Sequence, residues 1–188
     1  MMENSKVMIT GIITETDFNS NIIDIIRPVA RVCVYDKQNK EWIDNIYLIF
    51  PDNTNARKFR GLHIGDVILL TGELCYYSGT GYSIYVIDYT ILESNIQNAP
   101  LDIQKTLFFN KIGAQNYIFI KGTMLYYNKN DSIITIAHTI EHNIRGDLEK
   151  KSIEPVRLEK QIKNASKNIV FLGHFTKGMI SGEAYETI

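Results

Sequence analysis

Leu62-His63-Ile64-Gly65-Asp66-Val67-Ile68-Leu69-Leu70-Thr71-Gly72-Glu73-Leu74 is the stretch that decides the fold of this 188-residue chain. A Gly65-Asp66 turn launches an apolar strand, and Gly72 interrupts that strand without ending it. Glycine inside a strand marks a bulge, a tight bend or the close approach of another backbone. Small closed β-barrels need such a bend, because a short strand must curl to serve both sides of the barrel. A weaker copy follows about a hundred residues later, and such self-similarity predicts a duplicated unit. It reads Asn168-Ile169-Val170-Phe171-Leu172-Gly173-His174-Phe175, after a similar polar-to-apolar switch.

Working outward from the first copy, residues 7–16 read as a first strand with Gly11 at its middle, and residues 28–36 as a second. Alternation in the second places Ala30, Val32 and Val34 on one face and Arg31, Cys33 and Tyr35 on the other. Residues 36–41 form a polar turn, and residues 42–50 the returning strand. Pro51-Asp52-Asn53-Thr54 breaks the sheet and offers an N-cap to a short helix through Ala56-Arg57-Lys58-Phe59, with Phe59 plugging one barrel end. The opening stretch is the fourth strand, running on to Tyr76-Tyr77. Ser78-Gly79-Thr80-Gly81 is a hairpin loop by composition, and residues 82–92 are the fifth strand. Three strands, a short helix and two strands is the order of the oligonucleotide/oligosaccharide-binding (OB) barrel. An SH3-like barrel lacks a true helix at that place, and a sandwich would want more strands.

Residues 94–100 are polar and carry Pro100, which marks a linker, and residues 101–113 read as a short helix leading onward. Residues 117–125 then resemble the first strand, with Gly122 standing where Gly11 stood. A turn at residues 128–131 precedes a β-branched strand over 132–140. Residues 153–158 are a shortened third strand that Pro155 would confine to an edge. Residues 159–164 are read as the short helix, 169–175 as the bent fourth strand and 182–188 as a brief last one. The expected architecture is therefore all-β with short helices: two tandem five-stranded OB barrels, the second degenerate. The divisions are residues 1–94, a connecting segment over 95–114, and residues 115–188.

Composition sets the function classes. With 45% hydrophobic and 11% aromatic residues the chain can bury a core, which excludes wholesale disorder. Eleven Tyr and eight Phe stand against a single Trp, and tyrosine, an apolar ring with a wet hydroxyl, suits exposed strand surfaces. The net charge of −1 excludes a generic polyanion binder. Residues 1–95 carry 8 Lys and Arg against 12 Asp and Glu, a net −4, and residues 96–188 carry 12 against 9, a net +3. Contact with nucleic acid must rest on local patches and stacking. Cys33 and Cys75 share no metal-ligand or redox spacing and are expected to be buried free thiols. The N-terminal residues lack a signal-peptide pattern, and no apolar run approaches the roughly 20 residues that span a bilayer. A cytoplasmic protein without membrane contact is expected.

Tyr47-Leu48-Ile49-Phe50, the following helix with Ala56 and Phe59, Gly65-Asp66-Val67, Gly72-Glu73-Leu74 and Val86-Ile87-Asp88 occur in this order. Together they resemble the bacterial-type single-stranded DNA-binding proteins, over roughly residues 5–93 and by pattern more than by any invariant motif. The resemblance implies single-stranded DNA as partner, in replication, recombination or mobile-element DNA processing. Family members usually end in a disordered acidic tail, whereas this sequence stops at Glu186-Thr187-Ile188. They also usually carry one barrel and assemble as tetramers. A fused pair resembles the variants that reach four barrels as a dimer, so a homo-oligomer, above all a dimer, is expected.

Single-stranded nucleic acid is held by stacking bases on aromatics while cations track phosphates. The outward face of the second and third strands offers Arg31, Tyr35, Trp42 and Tyr47, with Lys37 and Lys40 in the turn between. The competing role for Trp42 and Tyr47 is to cover the barrel or a subunit interface. Phe50 matches the family's stacking aromatic, yet by parity it shares a face with Ile46 and Leu48, and core packing competes. Tyr76, Tyr77 and Tyr82 flank the hairpin loop, where OB folds grip ligand, or else pack on one another. Arg57-Lys58-Phe59-Arg60 reads as a solvated helix face. Lys121, Tyr126, Tyr127 and Lys129 form the matching group in the second copy.

Catalysis finds little support. His138 and His142, four apart, would share a face of a helix and could bind metal, but the β-branched run before them predicts a strand end that splays them. Gly79-Thr80-Gly81 is no phosphate loop, since no Gly-Lys-Ser/Thr follows. The expectation is a non-enzymatic protein without cofactor or metal that binds single-stranded DNA with low sequence specificity. RNA is a further option, since single strands of either sugar stack alike. The alternative is an OB-fold adaptor that contacts replication or conjugation proteins.

Overall fold

A computed structural model describes residues 4–20, 27–50, 61–77, 81–94, 115–140, 150–162 and 167–186. Among the described residues ten strands are formed: β1 Asn4–Ser20, β2 Arg27–Asp36, β3 Glu41–Ile49, β4 Val67–Tyr77, β5 Gly81–Glu93, β6 Asn116–Asn128, β7 Ile133–Ile140, β8 Lys150–Leu158, β9 Asn168–Thr176 and β10 Met179–Glu186. The described residues contain no helix. Both the helix expected over residues 56–59 and the connecting segment 95–114 fall outside the described residues.

Pairing closes two five-stranded barrels. In the first, β1 pairs with β2 and β4, β2 with β3, and β4 with β5, while β3 and β5 close the ring in parallel. In the second, β6 pairs with β7 and β9, β7 with β8, and β9 with β10, and β8 and β10 close in parallel. Alternation sends Ala30, Val32 and Val34 inward with Ile46, Leu48 and Phe50, and Ile134, Ile136 and Val156 do the same in the second barrel. Full closure leaves few free edges, which short barrels need to avoid edge-to-edge association.

The glycines act as their places in the strands require. A Cβ on Gly72 would lie 2.4 Å from the Tyr85 carbonyl oxygen, and one on Gly173 2.5 Å from that of Ser181, so each lets the partner strand approach. Register shows the two to be equivalent. Gly72 stands opposite Val7 and Gly173 opposite Ile118; Ile68 stands opposite Gly11 and Ile169 opposite Gly122. Even the bulges match, between Ile13 and Glu15 in β1 and between Met124 and Tyr126 in β6. The turn that opens β4 is fixed by Asp66, whose Oδ2 accepts from the His63 N–H at 2.7 Å, while the Gly65 N–H donates to the Ile13 carbonyl at 2.8 Å.

The barrels are joined edge to edge by an antiparallel β1–β6 pair, in which Val7 faces Ile118. Since Val7 and Ile118 are themselves equivalent, the seam has a local two-fold through this pair, as an isologous contact would. The result is one continuous ten-stranded sheet.

The helix expected over residues 159–164 is not formed at 159–162, and 163–164 lie outside the described residues. The Glu159 N–H donates to the Gly182 carbonyl at 2.8 Å, so the chain there prolongs the β8–β10 pairing instead of turning. Strand β8 is longer than expected and runs along the whole of β7, while its second neighbour, β10, is met only at Arg157 and Leu158, beyond Pro155. Strand β10 likewise begins earlier, at Met179.

Candidate nucleic-acid interface

The outward face of β2 and β3 assembles two cross-strand pairs. Tyr35 stands opposite Trp42 with ring centroids 5.4 Å apart, and Arg31 stands opposite Tyr47 with its guanidinium carbon 4.9 Å from the ring centroid. Trp42 and Tyr47 are five positions apart, so simple alternation would place them on opposite faces. A bulge corrects this: between the Val32–Ile46 and Val34–Ile43 pairs, Asp44 and Asn45 together oppose Cys33. All four side chains are partly exposed.

The turn that follows is tied down. Buried Asp36 accepts at Oδ1 from the Gln38 N–H at 2.9 Å and at Oδ2 from the Asn39 amide at 2.6 Å. Lys37 and Lys40 project from it into solvent. Lys40 adopts φ 55°, a left-handed conformation held by the hairpin. Aromatic faces next to cations on a braced turn are what base stacking with phosphate contact requires. Arg31 also pairs with Glu15 at 3.0 Å, which takes up part of its charge.

Other expected residues fall elsewhere. Phe50 is fully buried with its ring edge-on to Tyr89 at 5.7 Å, and its parity with Ile46 and Leu48 decides its place: it is core. Tyr82 is largely inside. Its ring lies against Tyr76 at 5.2 Å and Phe175 at 6.3 Å, its hydroxyl donates to the Pro155 carbonyl, and burial, then the Glu154 carboxyl, push its pKa well above the usual phenol range. Tyr76 is half-buried beside it, and the Tyr77 side chain lies outside the described residues. In the second barrel Tyr126 is 61% exposed just past the bulge and Lys129 is exposed in the turn, whereas Tyr127 packs on the core. Lys121 stands opposite Asn4 on the seam, away from both. His138 is in a strand and fully buried against Glu154; His142 lies outside the described residues. Among the described residues no cluster suits a metal, and no helix is long and apolar enough to cross a membrane.

A second surface lies outside the residues expected from the sequence. Across the local two-fold runs a groove of about 980 Å³ lined by Lys6, Met8, Lys37, Ile87, Tyr117, Phe119, Leu172 and Tyr185 among others. Tyr117 is 56% and Tyr185 50% exposed. The signal was present: Tyr117-Ile118-Phe119-Ile120-Lys121 alternates isoleucine inward with aromatic and basic residues outward.

No family model matches this sequence, and no curated protein matches it either. Among solved structures, a deletion mutant of the single-stranded DNA binding protein from Thermus aquaticus superposes with a TM-score of 0.57 at 10% identity, over 100% of this chain and 96% of that one. The wild-type Thermus aquaticus protein gives a TM-score of 0.54 at 10% identity, over 100% and 95%. The likeness is one of fold. It spans both barrels, and the architecture described above is that of an OB-fold protein like these two.

Proposed function

We propose that the chain binds single-stranded DNA without enzymatic action and with little sequence preference. The observation that carries this reading is the outward face of β2 and β3, where Tyr35–Trp42 and Arg31–Tyr47 lie beside exposed Lys37 and Lys40. The shared fold with a protein named for single-stranded DNA binding supports it. Tyr76 and Tyr77 on the hairpin and Tyr126, Lys121 and Lys129 on the second barrel extend the contact surface. Tyr82 and Tyr127 support it from beneath. The process served is replication, recombination or mobile-element DNA processing inside the cell, and the working form is a homodimer.

Titration with oligo-dT, followed through Trp42, tests the reading. Binding at about 50 mM salt, weakening as salt rises, is the expected outcome. An unchanged Trp42 signal together with no retained oligonucleotide at low salt would overturn it.

The net −4 of residues 1–95 favours one other reading, an adaptor whose barrel face meets a replication or conjugation protein. Substituting Trp42, Tyr76 and Tyr77 separates the two. Loss of oligonucleotide binding supports the first, and loss of a protein partner with DNA binding untouched supports the second.

A further inference from the structure

The hairpin between β4 and β5 is anchored on the second barrel. At its last inner pair, Tyr76 opposite Tyr82, both strands are tied to one short stretch of β8. The Tyr76 N–H donates to Ser152 Oγ at 3.1 Å, and the Tyr82 hydroxyl donates to the Pro155 carbonyl. Ser152 has one proton to give and gives it to Glu154 Oε1 at 2.5 Å, which leaves its lone pair turned to Tyr76. The same Oε1 meets His138 Nε2 at 3.2 Å, and both Glu154 and His138 have no solvent exposure.

Cohesion alone does not account for this cluster. A buried carboxyl is costly unless every lone pair is met, and Glu154 Oε2 meets no donor among the described residues. Apolar side chains would join the barrels at less cost, as they do nearby where Ile49, Cys75 and Tyr85 meet Ile140. What the polar chain adds is direction: His138 orients Glu154, Glu154 orients Ser152, and Ser152 fixes one backbone amide at the root of the hairpin. The second barrel's own hairpin is shorter, with eight β9–β10 pairs against eleven between β4 and β5. Its β9–β10 connection is only Lys177 and Gly178, between the paired Thr176 and Met179.

We propose that Ser152, Glu154 and His138 are positioning residues for nucleic-acid contact: they hold the root of the β4–β5 hairpin so that Tyr76 meets the strand in a fixed orientation. The second barrel thereby acts as the buttress of the first. This rests on the single-stranded DNA reading given above.

The test uses the full chain, a dye-labelled oligo-dT read by anisotropy, and hydrogen exchange of the peptide spanning residues 74–82. Ser152→Ala is expected to weaken binding about 5- to 10-fold and to speed exchange in that peptide. The salt dependence should keep its slope, because no phosphate contact is removed. Glu154→Ala should behave likewise, and Glu154→Gln, which retains an acceptor for the serine, should bind as the unsubstituted chain does. In a Tyr76→Ala background, which keeps the backbone N–H, Ser152→Ala should cost little more, a coupling that a general loss of stability would not give. Binding by Ser152→Ala equal to the unsubstituted chain while exchange has risen would overturn the proposal, and so would simple additivity with Tyr76→Ala. Failure of the unsubstituted chain to bind oligo-dT is a different result, and it removes the DNA reading itself.

Discussion

Gly72 and Gly81 are both glycines of the β4–β5 hairpin, yet they are glycine for different reasons. Gly72 has an ordinary backbone and no room: an added Cβ would sit 2.4 Å from the Tyr85 carbonyl oxygen, which belongs to a backbone that cannot swing aside. Gly72→Ala is expected to destabilise by at least about 2 kcal/mol, as overpacking of a rigid site does. Gly81 has open space but φ +80°, so Gly81→Ala should cost about 1–2 kcal/mol through conformation alone. Urea denaturation of both variants checks the order. The first glycine was legible as a bend because it interrupts an apolar run without ending it. Its neighbour across the sheet was not, since nothing local points to Tyr85.

Tyr82 gives a pH prediction at the same scale. Its phenol ionises less readily in the fold than in the open chain, where it titrates near 10.0. The folded protein therefore holds a proton that the unfolded chain releases. The resulting stability is fully present below pH 10 and is lost as pH rises beyond it toward the folded pKa. Urea midpoints measured from pH 8 to pH 11.5 should fall on the alkaline side, and Tyr82→Phe should flatten that fall.

Among elements, the β2–β3 pair shows how far a pattern carries. Ala30, Val32 and Val34 alternate cleanly, and their inward face was readable from β-branched spacing. Phe50 keeps step with Ile46 and Leu48, and parity correctly sends it to the core over its match to a stacking aromatic. Trp42 breaks step, because the bulge at Asp44 and Asn45 resets the face between it and Tyr47. A bulge is chosen by the partner strand, so a single strand's sequence does not announce it. If the surface so formed stacks bases, Trp42→Ala should weaken oligo-dT binding about tenfold, within the roughly 1–3 kcal/mol a stacked base contributes. Phe50→Leu should leave affinity alone and lower stability instead. Anisotropy with a labelled oligonucleotide and urea melts separate the two outcomes. The segment at residues 159–162, expected as a helix, departs from expectation for the reverse cause. Its polar composition suits a helix start, but the Glu159 amide is claimed by Gly182, a contact between distant residues.

For the molecule as a whole, the duplication was legible in Gly72 and Gly173, whereas the seam was not. Nothing in either copy states that β1 and β6 pair, still less that Val7 faces its own equivalent. That register carries a prediction. A fragment of residues 1–94 would expose β1 in the conformation that β6 now covers, and a second fragment could occupy β6's place with Val7 against Val7. Sedimentation equilibrium should show this fragment as a dimer. Met8→Lys should leave it monomeric, because Met8 is exposed and across the Val7 dyad would face Lys6 of the other fragment, setting like charges opposite each other.

Covalent attachment changes what such a seam can become. Two barrels on one chain meet at an effective concentration of order millimolar for a short connection, whatever the dilution of the protein. Pairing no longer depends on how much protein is made. At this seam each barrel also meets only its unlike twin, never a copy of itself. A loss on one side of the dyad is therefore not repeated on the other, and the β9–β10 hairpin can shorten to eight pairs while β4 and β5 keep eleven. The two halves are free to age differently.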